Sequence, residues 1–296
     1  MTVAHLPVLD DVTWAGLEAA HHLLVDGWTL GRRTRAAAGR SHPVDDFLFT
    51  YYSHKPAQLR RWHPGAGVTL LGPRADERAG WRWHAKPVGP QGNGVTLDVG
   101  AFVADRGAAV RHTLELLTAT AARPAQLGCF GLHEWAMVHR LDPGGQRHEN
   151  WPLRLGQAGT DAVVAAHPLR CSHFDAFRFF TPAARPLNVV QPTRETQVQL
   201  EQPGCLHATM DLYKAAYKLG PAVPSSLTVR CFALARDVRE LDMRASPYDL
   251  SSLGYDPVPI ENAGGRADYV AAQRGFTERG QSLRAELVGV CQHLLA

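Results

Sequence analysis

Three short stretches of the chain bring acids, imidazoles and thiols together at spacings that would let them act jointly. In residues 169–180, LRCSHFDAFRFF, an extended backbone would send Cys171, His173 and Asp175 to one face with Leu169, Phe177 and Phe179. A thiol, an imidazole and a carboxylate running into two phenylalanines suit the wall of an aromatic-lined pocket, although a half-exposed strand would read the same. The other face would carry Arg170, Ser172, Phe174 and Arg178. In residues 203–221, Leu206, Met210, Tyr213 and Tyr217 form an apolar helical stripe. His207, Asp211, Lys214 and Lys218 repeat that spacing one residue on, about 100° around an ideal helix. Such a row either lies in solvent with i,i+4 pairing or sets His207 and Asp211 at a cleft. In residues 128–140, GCFGLHEWAMVHR, His133 and Glu134 sit among Phe130, Leu132, Trp135, Met137 and Val138. So apolar a setting should raise the pKa of Glu134, as a general acid requires. Neighbouring helical side chains diverge by about 100°, so His133 and Glu134 cannot form one tight pair.

The same stretches contain Cys129-x3-His133, Cys171-x-His173 and Cys205-x-His207. Zinc favours such donors, and if the three pairs converged, His133, His173 and His207 would be the ligands. None has the CxxC or HxxxH spacing of a local chelate, and in HEWAMVH the second histidine, His139, comes six residues after the first instead of four. Buried cysteines also serve as small apolar residues. The expectation is therefore no cofactor, with a divalent metal as the alternative. Tyr51, Tyr52, His54, Trp62 and His63 lie near Arg60 and Arg61, a mixture able to stack bases and hold phosphates, or to form core aromatics with a solvated rim. No G-x-G-x-x-G, P-loop or G-x-S-x-G is present, which removes the main support for dinucleotide, nucleoside-triphosphate and α/β-hydrolase functions.

The elements that must position these residues read as α+β, predominantly helical, with a small β-sheet in the N-terminal half and middle. Helices are expected over 13–35 (with Trp14, Leu17, His21, Leu24 and Trp28 inward), 56–61, 105–121 and 124–141, the last stopped by Asp142-Pro143-Gly144-Gly145. The C-terminal third adds helices over 204–219, 225–243 behind a serine cap, and 266–295, with an irregular loop before the last. Strands are expected within 67–103 and 161–180.

No Gly/Ser-rich linker interrupts the 296 residues, so a single globular domain over 1–296 is expected. A hydrophobic fraction of 45% supplies ample core. A net charge of +3 permits a nucleic-acid partner without requiring one. No apolar run approaches the ~20 residues that cross a bilayer, so no membrane partner is expected. The N-terminus lacks a secretory layout, and five cysteines, an odd number, point to reduced thiols and a cytoplasmic location.

Beyond these features, the chain resembles an actinobacterial family labelled 3-methyladenine DNA glycosylases. The resemblance rests on HPVDDFLFTYY (42–52), RRWHPG (60–65), GLHEWAMV (131–138), PLRCSHFDAFRFFTP (168–182), EQPGCLHATMDLYK (201–214) and LDMRASPYDL (241–250). It spans residues 40–280, and neither a helix-hairpin-helix signature nor an alkyladenine-type catalytic pattern accompanies it. The resemblance implies a DNA-repair hydrolase that flips an alkylated purine from DNA and holds it between aromatic side chains. Asp175 is then the first candidate for the carboxylate that steadies the sugar cation, followed by Asp211 and Glu134. His173, His133 and His207 would orient it or bind the base. Tyr51, Tyr52, Trp135 and Phe177 would contact the base, and Arg60, Arg61 and Arg178 the phosphates. Two alternatives stand beside it: a small-molecule hydrolase or lyase, metal-assisted through His133, His173 and His207, and a non-catalytic binding protein. The enzymatic readings require the acids and imidazoles to meet at one cavity.

Overall fold

Helices account for most of the described residues, which in a computed structural model are 7–86, 94–141 and 151–296. The described helices are α1 (Asp11–Ala37), α2 (Phe47–Tyr51), α3 (Pro56–Arg60), α4 (Pro73–Arg78), α5 (Val99–Ala121), α6 (Leu132–Ala136), α7 (Gly156–Ala166), α8 (Phe174–Phe177), α9 (Gln197–Leu200), α10 (Leu206–Lys218), α11 (Ser225–Arg244) and α12 (Ala263–Leu295). Four short strands, β1 (Val8–Leu9), β2 (Thr69–Leu71), β3 (His84–Ala85) and β4 (Gly94–Leu97), form a sheet of order β1-β2-β4-β3. β1 runs parallel to β2, and the two pairs that include β4 are antiparallel. The fold is α+β and predominantly helical, with its small sheet in the N-terminal half.

The main core lies where α10, α11 and α12 pack on one another and α5 closes against α12. Leu212, Tyr213 and Ala216 of α10 meet Cys231, Leu234 and Val238 of α11 and Leu287 and Cys291 of α12 in one buried cluster. The stripe expected on α10 (Leu206, Met210, Tyr213 and Tyr217) packs into this cluster. A second cluster under the sheet joins Trp14, Trp62, Leu70, Ala75 and Val95, and a third joins Val44, Val138, Met243, Tyr248 and Leu250. Among the described residues no helix is long and apolar enough to cross a membrane.

Four local expectations are corrected. The run 67–103 is not all extended: β2 is followed by α4, and Asp98 accepts the Ala101 N–H at 2.8 Å to start α5 at Val99. The helix expected over 124–141 is reduced to α6, because Phe130 (φ 48°) and Gly131 (φ 70°) are left-handed and break any continuous helix. Its stop at 142–145 lies outside the described residues. The strand expected over 161–180 is replaced by α7 and α8. Alanine-rich 156–166 has high helix propensity and turns Thr160, Val163 and Val164 into the protein. On α1 the inward face is Trp14, His21, Val25 and Thr29, while Leu17 and Leu24 are 48% and 43% exposed.

Candidate active site

Three parts of the chain are steered to one place by local chemistry. α10 begins after Pro203-Gly204, where a Cβ on residue 204 would lie 2.7 Å from the Gln126 carbonyl oxygen, so glycine permits the approach. Gln202 accepts the Gly204 N–H at 2.7 Å, and Gln273 of α12 donates to the Gly204 carbonyl at 2.5 Å. That clamp fixes the first turn of α10, which carries His207. The left-handed pair Phe130–Gly131 turns the chain directly into α6, which carries His133 and Glu134. A bulky residue held in that conformation costs about 1–3 kcal/mol, the kind of strain that collects at functional sites. His173 is held just before α8 by Asn188, which accepts from the Cys171 N–H and donates to its carbonyl, both at 2.8 Å.

The three imidazoles sit in a row. The His133 and His207 rings meet edge to face at 4.5 Å, and His207 stacks on His173 at 5.2 Å and 28°. His133 Nε2 lies 3.0 Å from Asp242 Oδ1, yet neither atom completes a hydrogen bond, because the N–H does not line up with the oxygen. Donor atoms of His133, His207 and Asp242 all fall within 4.8 Å of one another, and all three residues are buried. On the far side of His207, His173 Nε2 lies 3.2 Å from Glu201 Oε1 and 3.6 Å from Asp211 Oδ2, again out of hydrogen-bond alignment. Asp211 accepts from the Tyr52 hydroxyl at 2.7 Å and from Lys214 at 3.0 Å, and Lys214 also donates to Asp175 at 3.0 Å. Asp175 is further paired with Arg178 at 3.2 Å. Arg239 binds Glu134 at 3.0 Å and Asp242 at 3.3 Å, with its guanidinium 3.6 Å above the Phe47 ring.

These contacts set the charges. Burial disfavours the imidazolium at His133, but Asp242 outweighs it and raises the proton affinity well above the usual value. Burial also opposes ionisation of Asp242, and His133 more than reverses this, holding the carboxyl low. Among the described residues no acid forms an ion pair with His207; burial and its two imidazole neighbours outweigh Asp242 and Asp211 and keep it neutral. Burial pushes up the thiol pKa values of Cys171 and of Cys205. Cys129, Cys171 and Cys205 do converge, as the sequence suggested, around a void of about 10 Å³ beside His133 and His207. Among the described residues, however, the compact donor group contains no thiol and no His173; its third member is Asp242.

A cavity of about 320 Å³ opens over this row. His207, Glu134 and Asp175 reach its wall, with Phe47, Tyr51 and Phe179 providing aromatic surface and Arg178 a cation. The Phe47 and Tyr51 rings are stacked at 5.1 Å. His133 and His173 lie behind the wall against His207, and Asp211 lies behind Lys214, which bridges it to Asp175. Asp175 thus shares a site with His207, but through the first turn of α8 and not through an alternating strand. Other expected binding residues are placed elsewhere. Tyr52 is spent on Asp211, Phe177 is core, and the buried Trp135 indole donates to the Ala245 carbonyl at 2.8 Å. Arg60 is tied to Asp26, and Arg61 lines a different cavity.

Asp242, Arg239, Glu201 and Phe47 were not singled out by sequence. A trace of Arg239 and Asp242 was present: they stand at i,i+3 beside Val238 and Leu241, where a core helix would ordinarily keep charge away. In comparisons with protein-family profiles, curated proteins and solved structures, the chain matched none.

Proposed function

We propose that this protein is a metal-dependent hydrolase, working in the cytosol on a small ring-bearing substrate held in the cavity over His207. One observation carries the reading. His133 Nε2 and Asp242 Oδ1 are 3.0 Å apart but misaligned for a hydrogen bond, and His207 brings a third donor within 4.8 Å. Ligands about 2.0–2.1 Å from a common zinc ion would stand about 3 Å apart and aim at the ion, not at each other. Two imidazoles and a carboxylate suit zinc or ferrous iron. Arg239 supplies the outer contact that orients Asp242. A divalent ion there would contribute Lewis acidity. Phe47 and Tyr51 would hold the substrate ring, Arg178 an anionic substituent, and Glu134 and Asp175 would receive or deliver protons at the cavity wall.

Zinc or iron measured in protein purified without added metal, then loaded and dialysed, should approach about one equivalent per chain. His207→Ala should lose at least tenfold in affinity, as should Asp242→Asn, roughly 1.4 kcal/mol each. Less than about 0.1 equivalent in the loaded wild type, or unchanged affinity in both variants, would sink the proposal.

A second reading is favoured by the lining itself. Glu134 and Asp175 beside the stacked Phe47–Tyr51 pair would suit a flipped, cationic alkylated purine, as the sequence resemblance implies. On that reading Asp175 steadies the sugar cation, and Asp175→Asn should lower release of 3-methyladenine from methylated DNA by at least about 100-fold. Full release by that variant would remove Asp175 from the chemistry, and no release by the wild type would remove the glycosylase reading.

A further inference from the structure

A second cavity, of about 670 Å³, lies away from the imidazole row, between α3, the loop 81–84 and the turn joining α10 to α11. We infer that it is a binding site for a nucleoside monophosphate, with the base on the Trp81 and Tyr217 rings and the phosphate on Arg61. The inference rests on the composition of this cavity and stands whether or not a metal binds at His207.

Three features select that ligand class. The rings are built in place: Tyr217 stacks on His54 at 4.5 Å and 7°, and Trp81 is met edge-on by His63 and by His84, each at 5.8 Å. Beneath Trp81 lies the buried Arg78, whose guanidinium contacts the Trp14, Trp62 and Trp81 rings within 5.2 Å and is paired with Glu18. Trp81 is therefore a fixed platform on which a flat base gains stacking energy.

The second feature is charge. Among the described residues no carboxylate lines the cavity. Arg82 on the wall, Arg60 beside Arg61 and Arg78 beneath Trp81 are each paired with an acid, namely Asp105, Asp26 and Glu18. Among the described residues Arg61 has no such partner; its guanidinium lies 5.5 Å from the Trp81 ring and lines the cavity. One uncommitted guanidinium matches one terminal phosphate. A nucleic-acid strand would need a track of free cations, which the paired arginines do not supply.

The third feature is the remaining lining. His54 Nδ1 is bonded to the Tyr213 hydroxyl and Gln58 Oε1 to the Lys55 N–H, which leaves His54 Nε2 and the Gln58 amide nitrogen, with the unpartnered His63 Nδ1, as neutral polar atoms suited to heteroatoms of a base and a ribose. Burial lowers the His54 pKa to about 4 and the His63 pKa to about 3, so both rings are uncharged at neutral pH and leave the electrostatic contact to Arg61. The volume lies within the roughly 300–1,000 Å³ range of small-molecule sites.

The test is a titration of the full chain with 5′-AMP, followed by tryptophan fluorescence and by calorimetry. Saturable binding with a Kd below about 1 mM is expected, with at least tenfold weaker binding for adenosine, which lacks the phosphate. Arg61 is exposed, so Arg61→Met should fold normally and weaken AMP binding at least tenfold, about 1.4 kcal/mol. Arg61→Lys should recover part of that loss. His207→Ala should bind AMP like the wild type, which separates this site from the proposed metal centre. No AMP-dependent signal up to about 5 mM, or equal binding by Arg61→Met, would overturn the proposal. So would tighter, steeply salt-dependent binding of a thymidine oligonucleotide, which would identify the cavity as part of a single-strand surface.

Discussion

Arg239→Met is expected to lower the unfolding free energy at neutral pH by about 3–5 kcal/mol, measured by urea denaturation. Arg239 is 1% exposed, and its guanidinium connects three parts of the chain. It pairs with Glu134 of α6 at 3.0 Å and Asp242 of its own helix at 3.3 Å, and it donates to the Pro43 carbonyl at 3.4 Å before α2. Its removal would leave two buried carboxylates short of a cation, and that uncompensated charge is the source of the large cost. Methionine keeps an unbranched stem over Phe47 and can place sulfur against the ring, so lost packing contributes little. The double variant Arg239→Met/Glu134→Gln should recover part of the loss, because one stranded charge has gone. A fall below about 1 kcal/mol in the single variant would show that the two acids do not depend on Arg239.

The same buried ionic group marks the boundary of what could be read from sequence. Periodicity identified α10, α11 and α12 because each hides one long apolar stripe, a local property of the chain. It also placed His207 and Asp211 on a common side of α10, where they do face the site. It failed at 128–140 and 161–180. Two left-handed residues decide the first and an asparagine bridging Cys171 shapes the second, neither leaving a periodic signal, whereas the alanine-rich run that forms α7 was legible as helix propensity. Asp242 and Arg239 were harder still. On α11 they stand at i,i+3 like a surface pair, and the packing of α6 and α2 against them makes them interior. The compact donor trio spans 109 residues of sequence from His133 to Asp242, so no local spacing rule can report it.

Outside the compact donor trio lies the second half of the row, His173 with Glu201 and Asp211. Lys214 already provides a cation there, 3.0 Å from Asp211, and this makes the half a fixed support for His207. Its character can be read from pH. Burial alone would raise the Asp211 carboxyl, but His173, Lys214 and the Tyr52 hydroxyl hold it well below the usual range. A depressed folded-state pKa gives stability that is fully present above the unfolded value of about 3.9 and is lost as pH falls through the folded value. His173 has the opposite sign. Burial lowers it, Glu201 and Asp211 more than compensate, and the resulting stability is present below about pH 6.5 and lost as pH rises through the raised value.

Asp211→Asn removes the charge but keeps an acceptor for Tyr52, and it should cost about 3 kcal/mol where both charges are in place. The stability gap between wild type and variant should be widest between about pH 4 and 6.5, narrowing on the acid side as Asp211 protonates and on the alkaline side as His173 deprotonates. Urea midpoints measured from about pH 3 to pH 9 would trace that dome. A gap that stayed constant across the series would mean that Asp211 acts only through shape and neutral hydrogen bonds, and that the row of imidazoles is not supported by charge.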